Sequence, residues 1–343
     1  MADVTVMGAG IFGLSVAWSC VLRGARVRVI DPYGVGAGAS GGIVGALAPH
    51  VPENWNDKKA FQFDSLIAAT GFWRGVEEAS GISPGYARLG RLQPIADDRA
   101  LELARSRADG AQELWRGLAR WQVVEAREFD WAPVTPTGYL IHDSLSARAH
   151  PRRACAALAG AITARGSEVM TEGDMQGQVV WATGMSGLEE LNAAHGGMVG
   201  SGVKGQGALL HFSAAEMPQL FADTVHVVPH ADGTVAVGST SERAYDDPAS
   251  TDAQLDAVIG RAMQAVPVLR GARVMARWAG VRPRTRSRAP MLGAHPLHKG
   301  AFIANGGFKI GFGMAPGVGR VMADLVLEGI DEIPGGFRPE ASY

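Results

Sequence analysis

Three glycines near the start of the chain, and an acid shortly after them, have the types and spacing that bind a dinucleotide. The sequence is Gly8-x-Gly10-x-x-Gly13, and Asp31 follows after about twenty residues. Gly8 can make the tight turn, Gly10 can let the backbone approach a pyrophosphate, and Gly13 can let a helix pack closely on a strand. Asp31 can accept hydrogen bonds from ribose hydroxyls, and its charge disfavours a 2′-phosphate.

The elements around these residues must form a strand, a helix and a second strand. Val4–Met7 is a short apolar run typical of a buried strand, and apolar residues then recur at helical spacing until Gly24. Residues 26–30 form the second predicted strand. The helix N-terminus would offer unpaired N–H groups and a partial positive charge to phosphates. A glycine-rich turn without a ligand is the alternative, but strand, helix, strand and acid in register favour dinucleotide binding.

The rest of the chain alternates between two kinds of pattern. Parallel-type strand and helix units occur at both ends and near 150–184, whereas antiparallel-type strands with extra helices occupy about 82–140 and 203–281. We therefore predict an α/β protein: a Rossmann-like dinucleotide-binding domain with a second α+β substrate domain of mostly antiparallel sheet. The predicted domain bounds are 1–81, 141–202 and 282–343 for the first domain, and 82–140 and 203–281 for the second.

Four elements of this prediction bear on the site. We expect a helix capped by Asp97 and Asp98 that runs to about Trp121. We expect strands over 207–212 and 274–281, so that Arg282 follows a strand. The last helix is predicted over about 316–328, with Pro316 in its first turn.

Composition excludes several classes of protein. The length of 343 residues favours two domains, and the net charge of −2 gives no reason to expect nucleic acid as a main partner. Two cysteines cannot make a disulfide framework, which fits a reducing compartment. No apolar run reaches the roughly twenty residues of a membrane span, and the first strand leaves no room for a signal peptide, so we expect a cytoplasmic protein. The histidines and cysteines show no metal-binding spacing, and we expect no metal.

The chain has 46 glycines, and they are concentrated in three clusters at 34–45, 196–207 and 306–319. Glycine clusters beside strands mark turns or close backbone approach to a ligand. If these distant segments meet around one extended cofactor, they outline its site.

The chain resembles the FAD-dependent D-amino-acid oxidase superfamily, and glycine oxidases and related amino-acid oxidases most closely. The resemblance rests on the N-terminal glycines and on segments that occur in the family's order along the whole chain. They are Ala39-Ser-Gly-Gly42, Val44-Gly-Ala-Leu-Ala-Pro-His50, Val180-Trp-Ala-Thr-Gly184, Val203-Lys-Gly205, Val227-Val-Pro229, Trp278-Ala-Gly-Val-Arg-Pro283 and Ala304-Asn-Gly-Gly-Phe-Lys-Ile-Gly311. Residues 285–293 also resemble the oxidoreductase half of the enzyme that modifies wobble uridine in tRNA.

This resemblance implies FAD as the cofactor, because an enzyme that uses only NAD would not need a glycine-rich return near its C-terminus. It places the ADP half on the first strand–helix–strand unit and the flavin beside the later glycine segments. The implied cofactor residues are Gly8, Gly10, Ile11, Phe12, Gly13, Asp31, Pro32, Ala39, Ser40, Val44, Gly45, Ala46, Gly184, Gly307, Phe308, Lys309, Ile310, Gly311, Phe312 and Gly313.

The resemblance also implies three substrate residues. Arg282 is at the position of the arginine that binds the substrate carboxylate, and a planar guanidinium can form two parallel hydrogen bonds to a carboxylate. Lys309 replaces a second arginine and keeps its charge, and His226 replaces a tyrosine. His226 is equally well read as an ordinary core histidine; in the pocket, its titration near neutral pH would affect carboxylate binding.

Arg282, Arg284, Arg286 and Arg288 alternate along the chain, which raises the possibility of a basic stripe that binds RNA. Solvated surface arginines with one ligand-binding member are favoured, because prolines interrupt the run and the net charge is slightly acidic.

The leading functional hypothesis is an FAD-dependent oxidoreductase that oxidises the C–N bond of an amino acid or N-substituted amino acid by hydride transfer to flavin. The substrate would be a small amine bearing a carboxylate, with oxygen or a quinone as electron acceptor. Two alternatives stay open: a tRNA wobble-uridine modification oxidoreductase acting on a carboxymethylamino group, and a flavin-binding partner subunit without activity.

Overall fold

The computed structural model describes residues 1–343 and contains two large β-sheets with helices packed on both. The strands are Val4–Met7 (β1), Val27–Ile30 (β2), Ala46–Leu47 (β3), Arg91–Pro94 (β4), Trp121–Glu125 (β5), Tyr139–Asp143 (β6), Ala147–Arg148 (β7), Glu168–Met170 (β8), Gln178–Trp181 (β9), Gly200–His211 (β10), Gln219–Ala222 (β11), Val225–Pro229 (β12), Thr234–Gly238 (β13), Val274–Thr285 (β14), Met291–Ala294 (β15) and Phe302–Asn305 (β16). The α-helices are Ile11–Leu22 (α1), Asp57–Ser80 (α2), Asp98–Leu114 (α3), Pro151–Ala164 (α4), Gly184–His195 (α5), Ala253–Ala265 (α6) and Gly311–Ala323 (α7). No helix is both long and apolar enough to cross a membrane.

The first sheet has six strands in the order β15-β16-β9-β1-β2-β8. Strand β1 lies at its centre and pairs in parallel with β2 and β9, with Val4 opposite Val27 and Gln178. Only the outer pair of β15 and β16 is antiparallel. Helices α1, α2, α4 and α7 pack on one another beside this sheet and share its largest apolar core. This is the parallel sheet that the N-terminal fingerprint predicts.

The second sheet has eight strands in the order β14-β10-β13-β12-β11-β4-β6-β5, and all its pairs are antiparallel except β11 with β4. Helix α6 packs on β10, β12 and β13 over a separate apolar core. The α/β class with a second, mostly antiparallel sheet is confirmed. The residue bounds of the two domains stay a prediction, and 140/141, 202/203 and 281/282 each fall within a strand.

Helices α1 and α7 lie close together because α7 contains small residues at the contact. A Cβ on Gly319 would come within 2.6 Å of the Ser15 carbonyl oxygen, and a Cβ on Gly317 within 2.8 Å of the Phe61 ring. The prediction that this helix starts near Pro316 was wrong, because it begins at Gly311 and continues after Ala323 as one π-helical turn. Packing on α1 and α2 keeps the segment helical although Pro316 cannot donate a backbone hydrogen bond.

Three further element predictions need correction. Helix α3 ends at Leu114 rather than near Trp121, because Arg116 and Gly117 have positive φ. Trp121 instead starts strand β5, and its ring packs on the ring of Trp115. Helix α5 was not predicted at all. Strands β10 and β14 are longer than expected, so Arg282 lies within β14 and not after it.

Six histidines have lowered pKa values, and three of them, His226, His230 and His295, are lowered most. Burial, followed by the positive charges of Arg91, Lys309 and Arg282, lowers the pKa of His226 to about 3. Burial lowers the pKa of His230 to about 4, although its Nε2 lies 3.0 Å from the Ile43 carbonyl oxygen. Burial and the neighbouring His298 lower the pKa of His295 to about 4. All three side chains are therefore neutral at pH 7, and the expectation that His226 titrates near neutral pH was wrong.

These histidines predict a loss of stability in mild acid. The unfolded chain, with histidine pKa values near 6.5, binds more protons than the folded chain below that pH, so stability decreases as the pH falls. We expect the free energy of unfolding to be nearly constant above pH 7 and to decrease from about pH 6.5 towards pH 4. His226→Phe should make this dependence shallower, as measured by urea unfolding at fixed pH values.

The exposed His211 provides the control for that experiment. His211→Phe makes the same change of side chain at an exposed position and shows how much of any effect comes from the substitution itself. An equally steep dependence in His226→Phe would show that His226 is not held neutral in the folded protein.

Candidate active site at the junction of the two sheets

A single cavity of about 1130 Å³ begins at the carboxyl ends of the parallel strands and continues to the antiparallel sheet. Gly8, Asp31 and Ala182 follow β1, β2 and β9 and line one end. Trp278, Arg282 and other residues of β14 line the opposite end. In parallel sheets, ligands bind outside the carboxyl ends of the strands, and this cavity has that position.

The fingerprint residues have the geometry that a pyrophosphate site needs. Gly8 has a φ of +111°, and a Cβ there would overlap the Ala182 carbonyl oxygen. The Ile11 N–H at the start of α1 donates to the Ser40 hydroxyl over 2.9 Å. The two carboxylate oxygens of Asp31 accept hydrogen bonds from the N–H groups of Ala9 at 2.8 Å and Tyr33 at 3.0 Å. These contacts fix the acid at the cavity wall.

The distant glycine segments meet here. A Cβ on Gly307 would lie 3.0 Å from the Phe12 ring, so the C-terminal return packs against the first helix. A Cβ on Gly207 would lie 3.1 Å from Val44, and one on Gly42 would lie 3.4 Å from Trp278. The three glycine clusters therefore converge on one cavity. This cavity extends from Asp31, the acid expected to bind ribose, to the antiparallel sheet. These residues fit a dinucleotide cofactor such as FAD.

Most of the residues predicted from sequence line the cavity, but three do not. The lining ones are Gly8, Gly10, Ile11, Phe12, Asp31, Pro32, Ala39, Ser40, Val44, Gly45, Ala46, Gly184, His226, Arg282, Gly307, Phe308, Lys309, Gly311 and Phe312. Gly13 instead packs the start of α1 on the Gly8 carbonyl, and Gly313 packs on Leu66 of α2. Ile310 lies at the N-terminus of α7 and packs against the large apolar core.

Arg282 extends from β14 over the backbone of a glycine on the neighbouring strand. A Cβ on Gly205 would occupy the place of the guanidinium. The guanidinium donates from Nη2 to the Ser239 hydroxyl over 2.7 Å and from Nη1 to the Thr240 carbonyl over 3.4 Å. It forms no ion pair with a carboxylate. Burial lowers the pKa of Arg282 to about 10 and the Glu242 charge opposes this, so the side chain is charged at pH 7.

A buried polar network holds the segment that contacts Arg282. Glu242 accepts hydrogen bonds from the Thr240 hydroxyl and from Gln206 Nε2, the latter over 3.1 Å. The Gln206 N–H donates to the Thr240 hydroxyl over 2.8 Å, and Lys204 Nζ lies 3.8 Å from the Glu242 carboxylate. Glu242 is therefore already neutralised by Lys204, and Arg282 keeps free donors towards the cavity.

His226 and Lys309 differ in their exposure. His226 is partly buried on β12, and its ring lies 4.6 Å from that of Phe221, its cross-strand partner. Its Nδ1 has no hydrogen-bond partner. Lys309 is exposed at the mouth of the cavity, with Nζ 5.7 Å from the centre of the Phe308 ring. The structure thus brings Arg282, His226 and Lys309 to one cavity at different depths.

Sequence reasoning did not assign several wall residues. Ser239 and Phe221 line the cavity, but no local pattern marks them because their positions depend on strand pairing. Trp278 could have been found, since it shares a strand face with Arg282 four residues later. Gly205 occurs in a recognised motif, but the space that it leaves for the Arg282 guanidinium depends on contacts across strands.

Comparison with known proteins finds relatives that match almost the whole chain. A glycine oxidase from Pseudomonas putida is 26% identical over 98% of both chains. Two solved structures share the fold: glycine oxidase from Geobacillus kaustophilus, with a TM-score of 0.83 and 21% identity, and iminodiacetate oxidase from Chelativorans sp. BNC1, with a TM-score of 0.81 and 22% identity. Each covers 98% of this chain and is itself covered over 98%.

One family model covers nearly the whole chain. The model described as FAD dependent oxidoreductase (DAO) matches residues 3–325, which include both sheets and the complete cavity wall. The chain therefore belongs to this family and is an FAD-dependent oxidoreductase.

Proposed function

We propose that this enzyme oxidises the C–N bond of an amino acid or an N-substituted amino acid, and that Arg282 binds the substrate carboxylate. The observation that carries the proposal is a charged guanidinium inside the cavity without a carboxylate partner. A guanidinium has five N–H donors, and contacts to Ser239 and Thr240 leave donors for a ligand. The names of the relatives, glycine oxidase among them, support an amino-acid substrate.

FAD, when bound, supplies the two-electron acceptor for this chemistry. Residues 8–12, 31–32, 39–46 and 307–312 would hold it. The protein's own task is to position the substrate: a carboxylate bound by two guanidinium donors has a fixed orientation, and its α-carbon is fixed with it.

His226 and Lys309 would complete the pocket. His226 is neutral, so its unpartnered Nδ1 can exchange a hydrogen bond with the substrate without adding a charge. Lys309 adds a positive charge at the mouth. No carboxylate or other strong base is needed in this arrangement, because a substrate amine in its neutral form can be oxidised by hydride loss once it is positioned.

We propose oxygen or a quinone as the electron acceptor and the cytoplasm as the location. The support for the location is that Cys20 and Cys155 are both buried and unpaired, as is usual in a reducing compartment. The test of the function itself is anaerobic bleaching of the flavin by glycine, sarcosine, iminodiacetate, D-amino acids and proline. Persistence of the flavin colour with every one of them would refute the proposal.

Replacing Arg282 should separate substrate binding from cofactor binding. In Arg282→Ala we expect a loss of about 2–5 kcal/mol in substrate binding, because the carboxylate is left unpaired in the cavity. The rate of flavin reduction should fall as well, since the α-carbon is no longer oriented. Arg282→Lys should be intermediate, because it keeps the charge but loses the two-pronged geometry.

The measurement is stopped-flow flavin reduction against substrate concentration, with FAD content as the control for folding. FAD content should be normal in both variants, because the glycine segments bind the cofactor. Wild-type reduction kinetics in Arg282→Ala would mean that the carboxylate is not held there.

Gly205→Ala should impair the same step without any change to a charged residue. The new Cβ would take the place of the guanidinium, which is the mobile end of a long side chain and can move away at little cost in stability. We expect roughly tenfold weaker substrate binding, or ~1.4 kcal/mol, with an almost unchanged melting temperature.

Gly260→Ala is the matched control, because no atom lies within 4 Å of a Cβ at that position in helix α6. It should bind substrate like the wild type. Unaltered substrate affinity in Gly205→Ala would show that the space over Gly205 is not what positions Arg282.

A further inference from the structure

A second positive charge lies on the same face of β14 as Trp278 and Arg282, just beyond the part of the strand that lines the cavity. Trp278 and Arg282 both line the cavity and are four positions apart on this strand. Side chains two residues apart in a strand lie on the same face. Arg284 therefore lies on the same strand face as Arg282, two residues closer to the end of the strand at Thr285, beside the cavity wall and not in it. Its side chain is half-buried.

Arg284 and Lys309 meet at one aromatic ring. The guanidinium carbon of Arg284 lies 5.5 Å from the centre of the Phe308 ring, and Lys309 Nζ lies 5.7 Å from the same centre. The Phe308 N–H donates to the Pro283 carbonyl over 3.1 Å, and Phe308 has a φ of +40°. Since Phe308 also lines the cavity, this backbone holds the ring and its two cations at the cavity mouth.

These cations belong to a larger set without counter-charges, which we call the cationic mouth: Lys58, Arg243, Arg284, Arg288 and Lys309. None of them forms an ion pair with a carboxylate, although ion pairs are frequent elsewhere on the protein.

The members of the cationic mouth are close enough to repel one another. The Lys58 ammonium donates to the Arg288 carbonyl. Burial, then Arg288 and Arg284, lowers the pKa of Lys58, and burial, then Arg282 and Arg284, lowers that of Lys309. The net charge of the chain is only −2, so this positive charge is local. Bringing such charges together is unfavourable unless an anion binds between them.

We propose that the substrate is an amine carrying two carboxylates, and that Arg284 and Lys309 bind the second carboxylate over the Phe308 ring while Arg282 binds the first. This inference rests on the proposed function and specifies its substrate class. A small anion is favoured over RNA, because Arg284 is half-buried beside a cavity-lining ring. An RNA site would need a broad exposed basic surface.

Paired substrates that differ by a single carboxylate test this directly. Iminodiacetate is sarcosine with a carboxylate on its methyl group, and D-aspartate is related to D-alanine in the same way. We expect the dicarboxylate of each pair to reduce the flavin with at least about tenfold higher efficiency, as one charge-assisted contact provides. Arg284→Gln should remove about a tenfold part of this preference, and Arg284→Lys should restore some of it.

Arg270→Gln is the matched control, because it removes an arginine charge just before the first residue of β14, far from Arg284. Ten residues of strand separate Val274 from Arg284, roughly 33 Å at the usual rise. This variant should keep the wild-type preference for dicarboxylates. Added salt should weaken the preference in the wild type, since the mouth is partly exposed.

The outcomes distinguish this inference from the function on which it rests. Equal reduction by both members of each pair, unchanged in Arg284→Gln, would overturn the second carboxylate site and leave amino-acid oxidation standing. Tight tRNA binding at the mouth without any dicarboxylate preference would overturn it as well.

If no amine reduces the flavin, the proposed function fails, and the anion site is tested by binding alone. Succinate should then shift the visible flavin spectrum at lower concentration than propionate, and Arg284→Gln should abolish that difference. Equal affinities for succinate and propionate in the wild type would refute the site.

Discussion

A guanidinium in a cavity without a carboxylate partner is the interaction on which this site depends. Arg282 could be neutralised by Glu242, but that carboxylate is already engaged by Lys204, Gln206 and Thr240. Ser239 and Thr240 accept two of the Arg282 hydrogen bonds and fix its direction. The charge is thus available to a substrate. A positive charge without a carboxylate partner identifies the class of ligand better than the shape of the cavity does.

Backbone without side chains makes that arrangement possible. Gly205 provides the space for the guanidinium, and Gly8 and Gly307 allow strand ends and the C-terminal return to approach one another. A side chain at Gly205 would displace the charge, whereas one at Gly8 would overlap the Ala182 carbonyl and disturb the sheet edge itself. The glycine content of this protein therefore serves both the cofactor region and the substrate region.

The sequence was informative where structure depends on neighbours in the chain. The first strand–helix–strand unit follows from local periodicity and turn chemistry, and the convergence of the glycine clusters could be anticipated from composition. Features that depend on distant residues were not predictable in this way. The neutral state of His226 results from burial and from positive charges on three other segments. The early end of α3 results from the packing of Trp115 against Trp121.

Recognition of a carboxylate by Arg282 can be examined by removing the charge from the substrate while the enzyme stays unchanged. The measurement is the anaerobic rate of flavin reduction by sarcosine and by sarcosine methyl ester, at equal concentrations of the neutral amine. We expect the ester, which offers no charged oxygens to the guanidinium, to reduce the flavin far more slowly than the acid. Equal rates for the two compounds would contradict this recognition.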